Sequence, residues 1–397
     1  MKPELLAPAG DLQRAKTAIR YGADAVYLGG KRFSLRSRAS NFELADIAAA
    51  VQFAKQHHAK IYVTVNMIPH EDDLEHLEEY LVQLQSIGVS AVIVASVYIA
   101  ILSKKVAPLM EVHLSTQQSV TNSAALLFYQ KIGVDRVVLA REALLAHIQT
   151  IAHRSVCDLE VFIHGGMCVN YSGRCTLSNL MTLRDANRGG CAQSCRWKYR
   201  LYRDKIEISD PNRLFSMSSK DLIAAMEIPV LMDIGIKSLK IEGRMKSAYY
   251  IAIVVDAYRK LIDAIERGEN EQDAIEKCIN LLKKANNRPT ANGFFHGIPQ
   301  ANHHLYGSDG EGINQEFVAT VKDTLPSGKV RIILRNNLPK GIEIEVLSPQ
   351  QEIRCFTLDT LERHGVAIDT ANISLEVLEI IVPFAVMPGD FLRKKGS

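Results

Sequence analysis

The first two thirds of the chain repeat one pattern, in which a glycine is followed by a short turn and an apolar run of strand type. A glycine in this position commonly ends a helix, because it adopts the left-handed backbone conformation at little cost. The copies begin at Gly22, Gly88, Gly133 and Gly235. Further strand-type runs lie between the copies, at residues 4–7, 60–65, 112–115 and 159–163. The sequence therefore predicts eight strands before residue 245.

Helical periodicity separates most of these strands. Asp11 is placed to cap a helix that ends at Gly22, and Ser247 to cap a longer helix that ends at Gly268. Strands that alternate with helices indicate an α/β protein with a parallel sheet. The predicted fold is a (β/α)8 TIM-like barrel with a cysteine-rich loop inserted after strand seven. A doubly wound open sheet is the alternative, but no Gly-rich phosphate-binding fingerprint supports it.

The sequence changes character after residue 268. Residues 268–313 contain one helical stretch and then a linker rich in Gly, His and Asn, and β-type runs recur from Phe317 onward. We predict three regions: a catalytic barrel with its cysteine loop (165–203), a helix and linker, and a small C-terminal β-barrel. Their predicted bounds are 1–268, 269–314 and 315–397.

Composition limits the cellular setting. The longest uncharged apolar run, residues 89–102, is too short to span a bilayer, and the first residues do not form a signal peptide. We therefore expect a cytoplasmic protein with no membrane association, in a compartment where thiols stay reduced. The net charge of +3 is too small to predict nucleic-acid binding. The oligomeric state is not indicated by the sequence.

Four of the seven cysteines lie in the inserted loop, where Gly is frequent and apolar periodicity is poor. They are Cys168, Cys175, Cys191 and Cys195. Thiolates in one loop of a reduced protein fit zinc or an iron–sulfur cluster. Only the last two have the close spacing that is usual in structural zinc sites, so the spacing leaves the metal open. Four unrelated core cysteines are the less plausible alternative, because the surrounding sequence is polar.

The same loop is basic. From Gly166 to Arg203 it has seven Lys or Arg residues and one acidic residue. Clustered charge of this kind attracts phosphates, and an aromatic side chain such as Trp197 or Tyr199 can stack on an unpaired base. A solvated basic surface, with Trp197 packed under the loop, is the alternative. The predicted nucleic-acid-binding residues are Arg184, Arg188, Arg196, Lys198 and Arg200.

Polar residues follow the predicted strands. In a (β/α)8 barrel the C-terminal ends of the strands face the active site. The polar residues at these ends, rich in cations, suit a small anionic ligand, although some of them are expected only to satisfy hydrogen bonds and helix caps. We assign His164, Lys240 and Glu242 as catalytic candidates. We assign Asn66, Gln117, Arg141 and Arg244 as substrate-binding candidates, with Ser115 and Thr116 beside them.

Several segments together resemble one known family, the collagenase-like peptidases, family thirty-two of the peptidases of unassigned mechanism. The loop segment FIHGGMCVNYSGRCTLSN at 162–179 is similar to the signature of that family, and the likeness covers essentially the whole chain. Gly166 and Ala192 are two small departures, and neither replaces a proposed ligand. The other matching segments are residues 4–10, 21–30, 111–119, 184–197, 216–222 and 238–247.

The resemblance is strongest to family members that hydroxylate the wobble uridine of tRNA to 5-hydroxyuridine. It implies a four-iron four-sulfur cluster on the four loop cysteines, prephenate (a small dicarboxylate) as co-substrate, the tRNA anticodon region as partner, and dependence on the iron–sulfur assembly machinery. Zinc is the alternative metal. The alternative functions are a collagenase-like peptidase and a non-enzymatic, metal-bearing RNA-binding protein. A cysteine nucleophile would need a partner histidine, and Cys168 lies four residues after His164, but nothing in the sequence selects one of the four thiols.

Overall fold

Eight parallel strands close into a barrel in the computed structural model, which describes residues 2–35, 41–210, 212, 214–285, 288–305 and 317–396. Each strand pairs with the next along the chain, and the eighth pairs with both the first and the seventh. The predicted (β/α)8 barrel is therefore confirmed. The strands are β1 Glu4–Pro8, β2 Ala25–Gly29, β3 Lys60–Val65, β4 Ala91–Val94, β5 Glu111–Leu114, β6 Arg136–Val138, β7 Asp158–Gly165 and β8 Ser238–Ile241.

Helices surround the barrel and bury their apolar faces against it. The two predicted caps are present: Asp11 accepts a hydrogen bond from the Arg14 amide, and Ser247 accepts one from the Tyr250 amide. The barrel helices are α1 Leu12–Arg20, α2 Leu44–Gln56, α3 Leu77–Ile87, α4 Val97–Val106, α5 Ser123–Lys131 and α6 Leu145–Arg154. They are followed by α7 Leu177–Thr182 within the cysteine loop, α8 Ile228–Asp233, α9 Ala248–Glu266 and α10 Glu271–Lys283.

The segment between β7 and β8 is irregular, as its sequence predicts. A small hairpin pairs Tyr202–Arg203 with Ile206–Glu207, and the short strand Asp221–Ile223 pairs antiparallel with the end of β7. Thr290–Ala291 extends the same sheet beyond that strand. The insertion thus leaves the barrel, crosses its mouth and returns to the sheet before β8 begins.

The C-terminal region, predicted as a small β-barrel, is an antiparallel sheet. Its strands are β9 Phe317–Thr324, β10 Val330–Leu334, β11 Glu343–Leu347, β12 Arg354–Thr357, β13 Leu361–Arg363, β14 Val366–Ala367, β15 Val377–Ile380 and β16 Phe391–Lys394. They pair in the order β12-β11-β16-β9-β10-β15-β13-β14. A separate pair joins Leu338–Pro339 to Thr370–Ala371. Alternating buried residues, as in β10, give the sheet its own core.

The sheet packs on the outside of the barrel, against α1 and α9. The ring of Tyr249 stacks on Phe317 with centroids 4.5 Å apart, and the hydroxyl of Tyr21 donates to the carbonyl of Leu347 at 2.8 Å. Leu347 and Phe391 belong to the same apolar cluster as the barrel core. In the part of the chain that the structure describes, no helix combines the length and the apolar character needed to cross a membrane.

Candidate active site

A cavity of ≈470 Å³ lies at the C-terminal mouth of the barrel. Strand ends form its floor and walls, and the cysteine loop forms its roof. Most of the predicted strand-end residues line this cavity, at the end of the barrel where enzymes of this fold have their active sites. The predicted site residues that line the cavity are Asn66, Gln117, Arg141, Lys240, Glu242, Arg244, Cys168, Cys191, Cys195 and Arg196.

The lining of the cavity is strongly cationic. Among the described residues, six Lys or Arg side chains line it and two carboxylates oppose them, Asp221 and Glu242. The six cations are Arg141, Arg196, Lys240, Arg244, Lys246 and Arg288. Excess positive charge in a cavity with low-dielectric walls concentrates anions. The cavity is therefore suited to a ligand with more than one negative charge.

Lys240 is held from below by an acid in the barrel interior. Its ammonium lies 2.6 Å from Glu160, which is fully buried. Burial works to raise the pKa of Glu160, but Lys240 and Arg136 outweigh it and lower that pKa on balance. The ammonium also lies 4.5 Å from the ring centroid of Tyr27. Lys240 is thus fixed in place as a cation at the cavity floor.

Two arginines occupy different surroundings in the wall. The guanidinium of Arg141 lies 4.1 Å from the ring centroid of Phe162, and its Nη1 approaches the sulfur of Cys168 at 3.8 Å. Arg244 is 4% exposed and donates to Ser34 at 3.0 Å, among other groups. Arg141 therefore connects the cationic wall to the cysteine roof, whereas Arg244 is buried with the hydroxyl of Ser34 among its partners.

Asn66 and Gln117 form an amide pair across two strand ends. The side chain of Asn66 donates to Gln117 Oε1 at 2.7 Å, and the side chain of Gln117 donates to the carbonyl of Asn66 at 3.0 Å. Ser115 donates to the same Gln117 oxygen at 3.0 Å. Because much of their hydrogen-bonding capacity is used in this way, the two amides fix the shape of the wall as well as facing the cavity.

The four loop cysteines lie close enough to influence one another. Burial raises the pKa of the Cys195 thiol to about 11, and the negative charges of Cys168, Cys191 and Cys175 add to that rise. All four are free thiols. Cys175 is the one of the four that does not line the cavity. Three of the four cysteines, which the sequence separates by up to 27 positions, thus lie at one cavity.

The loop thiols are candidate ligands for a metal group. Within the described ranges, no group of three or more His, Cys, Asp or Glu side chains is placed to hold a metal ion. Tetrahedral zinc would require sulfur atoms about 2.3 Å from a common centre. The donor chemistry fits a thiolate-bound iron–sulfur cluster, in which each thiolate binds a different iron atom.

The cysteine loop is fastened across the mouth of the barrel. Ser119, which follows β5, donates to the carbonyl of Ser172 at 2.6 Å. Two strands away, the amide of Ile68, which follows β3, donates to the carbonyl of Asn187 at 3.0 Å. Because the loop is anchored at two points on the rim of the barrel, its position across the mouth is defined.

The predicted nucleic-acid-binding residues are spread along this roof. Arg188 is ion-paired with Asp73 at 2.6 Å, and Arg200 with Glu207 at 3.1 Å. Arg196 lines the cavity, Lys198 is exposed, and Arg184 is partly buried. Arg188 therefore serves at least to fasten the loop. Contacts between any of these residues and RNA remain a prediction.

Two aromatic residues of the loop differ in exposure and contacts. The hydroxyl of Tyr199 donates to the carbonyl of Ser194 at 2.5 Å, so this ring braces the loop. Trp197 is 42% exposed, and part of its ring faces solvent. The alternative in which Trp197 is packed under the cysteine loop is therefore correct for only part of this side chain.

His164 is not brought into the cavity. It is fully buried behind β7, where its ring lies 5.6 Å from that of Tyr258 and 6.0 Å from that of Tyr250 on α9. The pairing of β7 with β8 slips by one residue just before His164, at a bulge. A one-residue slip turns the following side chain to the other face of the sheet, so His164 points away from Lys240 and Glu242.

Several residues of the cavity were not predicted from the sequence. Tyr27 donates to Glu242 Oε2 at 2.9 Å, and Asp221 is 5% exposed with an oxygen 3.7 Å from the ammonium of Lys246. Phe162 supports Arg141. Tyr27 and Asp221 lie inside the segments 21–30 and 216–222 that carry the family resemblance. That resemblance is the feature of the sequence by which they could have been found.

Comparison with known proteins identifies relatives along the whole chain. "tRNA hydroxylation protein P1" of Bacillus subtilis is 43% identical, over 99% of this chain and 95% of the relative. "tRNA hydroxylation protein P" of Escherichia coli is 31% identical, over 91% of this chain and 89% of the relative. "23S rRNA 5-hydroxycytidine C2501 synthase" of the same organism is 42% identical over 67% of this chain, which matches 40% of that protein.

Two family models match consecutive parts of the sequence. Residues 10–305 match peptidase family U32, and residues 313–393 match the C-terminal domain of that family. Together the matches extend from the barrel to the last strand of the C-terminal sheet. The chain belongs to peptidase family U32.

Proposed function

We propose that this protein is an RNA-modifying enzyme that hydroxylates the wobble uridine of tRNA to 5-hydroxyuridine, with prephenate as co-substrate and a four-iron four-sulfur cluster on the loop cysteines. The observation that carries the proposal is a cation-lined cavity whose roof is a loop with four free thiols, three of which line the cavity. The names of three relatives, two of them tRNA hydroxylation proteins and one an rRNA 5-hydroxycytidine synthase, support the hydroxylation of RNA.

The charge of the cavity supports a dianionic co-substrate. Prephenate has two carboxylates, and Arg binds carboxylate through paired, charge-assisted hydrogen bonds. Arg141 and Arg244 stand in the wall, with Lys240 at the floor. The cavity of ≈470 Å³ lies within the range of small-molecule sites. In this proposal Glu242, hydrogen-bonded to Tyr27, is the carboxylate available to hold or move a proton at the floor.

The thiol arrangement supports a cluster as the resident cofactor. Cys168, Cys175, Cys191 and Cys195 are free thiols of one loop, and Cys168, Cys191 and Cys195 line the cavity. When bound, a cluster would supply one-electron chemistry. The protein would contribute the hydrogen bond from Arg141 to Cys168, a group that influences the potential of thiolate-bound iron.

The roof and its surroundings support RNA as the substrate. Lys198 and Arg200 are exposed, and Trp197 offers part of its ring to solvent. An unpaired base in an anticodon loop can stack on an exposed ring, and a base must leave its stack to enter an enclosed site. The cavity at the barrel mouth would receive that base.

Nucleoside analysis tests the proposal directly. A strain that lacks the gene and any paralogue should lose 5-hydroxyuridine from its tRNA, and the wild-type gene should restore it. A Lys240→Met variant should fail to restore it, whereas Lys105→Met, a change at the surface of α4, should succeed. Unchanged 5-hydroxyuridine in the deletion strain, together with cleavage of gelatin by the purified protein, would favour the peptidase instead.

A further inference from the structure

The lining of the active-site cavity changes from neutral to charged around the mouth of the barrel. On or just after β3, β4 and β5, the described residues that line it are uncharged. They are Thr64, Asn66, Ile93, Ser115, Thr116 and Gln117, here called the neutral sector. The charged residues of the lining all come later in the chain, from Arg141 onward, and Arg244 meets the sector at its edge, 3.4 Å from Thr64. A ligand without charge therefore fits this sector better than a dianion does.

Two amide side chains in the neutral sector are locked in one orientation. Asn66 Oδ1 accepts from the backbone amide of Leu35 at 3.1 Å, and that amide can only donate. Gln117 Nε2 donates to the backbone carbonyl of Asn66 at 3.0 Å, and that carbonyl can only accept. Turning either side-chain amide over would bring two donors or two acceptors together. The position of each side-chain oxygen and nitrogen is therefore fixed by its backbone partner.

The bonds within this amide pair leave mainly donors for a ligand. Gln117 Oε1 accepts from Asn66 Nδ2 at 2.7 Å and from the Ser115 hydroxyl at 3.0 Å, which uses both of its lone pairs. Each amide nitrogen carries two hydrogens and, among the described residues, donates one of them. One hydrogen therefore remains on Asn66 Nδ2 and one on Gln117 Nε2. Both residues line the cavity, and Asn66 is partly exposed, so a ligand in the cavity can accept from them.

Fixed donors of this kind distinguish uracil from cytosine. The two bases differ at C4, where uracil has a carbonyl oxygen and cytosine has an amino group. The oxygen accepts from an N–H donor, whereas the amino group would face it as a second donor, and both would be left unpaired. The second lone pair of Asn66 Oδ1 can in addition accept from N3–H of uracil, a hydrogen that cytosine lacks. The amide pair therefore favours uracil at two positions of the base.

The amide pair lies directly against the cysteine loop. A β-carbon on Gly173 of that loop would lie 2.3 Å from the backbone oxygen of Gln117, so the loop approaches Gln117 as closely as only glycine permits. In the proposed reaction the base is oxidised at C5, and C5 must therefore face the loop that carries the thiols. Because C5 is bonded to C4, the O4 atom lies on the same edge of the base. That edge is the one that the amide pair would meet.

We propose that Asn66 and Gln117 recognise the target base of the RNA through O4 of uracil and exclude cytosine. The inference rests on the proposed function and adds to it the residues that determine base specificity. In this assignment the neutral sector holds the base, and Arg141 and Lys240 hold the dianion. The two ligands occupy different sectors of one cavity.

The affinities of two RNAs test the proposal. The probes are anticodon stem–loop RNAs that differ only in having uridine or cytidine at the wobble position, titrated with the full-length protein and followed by fluorescence anisotropy. The wild type should bind the uridine RNA about tenfold to a hundredfold more tightly, because cytosine leaves one or two donors unpaired. Equal affinity for the two RNAs would overturn the proposal. If neither RNA binds the wild type, the proposed function is overturned, and the base assignment with it.

Gln117→Glu removes the spare hydrogen of one amide. A protonated Glu can still donate to the carbonyl of Asn66 but has no second hydrogen, and an ionised Glu has none. The added charge acts equally on both RNAs, so the ratio of their affinities reports the lost donor, and most of the preference for uridine should disappear. Asn66→Asp makes the same exchange at the other amide and should have the same effect. Gln118→Glu is the matched control, since Gln118 is bonded to Tyr129 and lies outside the cavity lining, and it should keep the wild-type ratio. A wild-type ratio in the Gln117 and Asn66 variants would overturn the assignment.

Discussion

The ammonium of Lys240 lies 2.6 Å from the carboxylate of Glu160 below the floor of the active-site cavity, and neither side chain is more than 5% exposed. The same carboxylate lies 3.4 Å from Arg136, which in turn lies 2.6 Å from Glu4. Acidic and basic groups thus alternate through the barrel interior. A buried charge is tolerated when an opposite charge is close, so each member of the series depends on its neighbours.

We expect Glu160→Gln to destabilise the protein strongly, because it leaves Lys240 buried without its closest counter-charge. Breaking a buried pair in this way typically costs about 3–5 kcal/mol. Urea unfolding measures the change. Asp158→Asn is the control, since its carboxylate is 46% exposed and 3.7 Å from Arg136, and it should cost no more than about 1 kcal/mol. The double variant Glu160→Gln/Lys240→Met should recover part of the loss, and no recovery would contradict this account.

The effect of Glu160→Gln should depend on pH. The pKa of Glu160 is lowered in the folded protein, so its contribution to stability is present above the ordinary value of 4.5 and is lost as the pH falls through the folded pKa. The difference in unfolding free energy between wild type and variant should therefore be constant near neutral pH and shrink only in acid below that value. If the difference in unfolding free energy shrinks between pH 8 and pH 6, a titratable group other than Glu160 is responsible.

The strands of the barrel could be predicted because the signal for each is local. A glycine, a turn and an apolar run mark β2, β4, β6 and β8 without reference to the rest of the chain. Once a (β/α)8 barrel was predicted, the polar residues at the ends of its strands could be assigned to the mouth of the barrel. Asn66, Gln117 and Arg141 were located in this way.

Two kinds of residue could not be located from sequence. The bulge in β7 turns His164 towards α9, and a bulge leaves no mark in the apolar pattern of a fully buried strand. Glu160 could not be located from the sequence for a different reason. It lies within a buried strand, where a charge is unexpected unless its partners, Lys240 and Arg136, are known to be close in space.

The loop cysteines should share one iron–sulfur cluster. Replacing any one of the four by Ala should reduce the iron and acid-labile sulfide of anaerobically purified protein, because each thiolate binds a different iron atom. Elemental analysis and absorbance spectra provide the measurement. Cys355→Ala removes an exposed thiol outside the loop and should leave iron content unchanged. Stoichiometric zinc without iron in the anaerobic wild-type protein would contradict the assignment.

Arg141 should contribute to binding of the dianion. Arg141→Ala removes a guanidinium that is stacked on Phe162 and directed at the cavity, and should weaken prephenate binding by about 1.5–3 kcal/mol, the range for a charge-assisted hydrogen bond. Isothermal titration calorimetry measures the affinity. Arg154→Ala, an exposed change at the end of α6, is the matched control. The same affinity in the Arg141 and Arg244 variants as in the wild type would remove both from the binding site.

The exposed basic residues of the roof should bind RNA phosphates, whereas Arg188, which is only partly exposed and is ion-paired with Asp73, should respond differently. Lys198→Glu should weaken binding of an anticodon stem–loop RNA and flatten its salt dependence, since each phosphate contact in single-stranded RNA contributes a log–log slope of about −0.7. Fluorescence anisotropy over a series of salt concentrations provides the slope. Arg188→Gln removes a partner of Asp73, so it should loosen the cysteine loop and lower iron content even if it leaves the salt slope unchanged. Binding that is insensitive to salt and to the Lys198 and Arg200 reversals would move the RNA surface away from this loop.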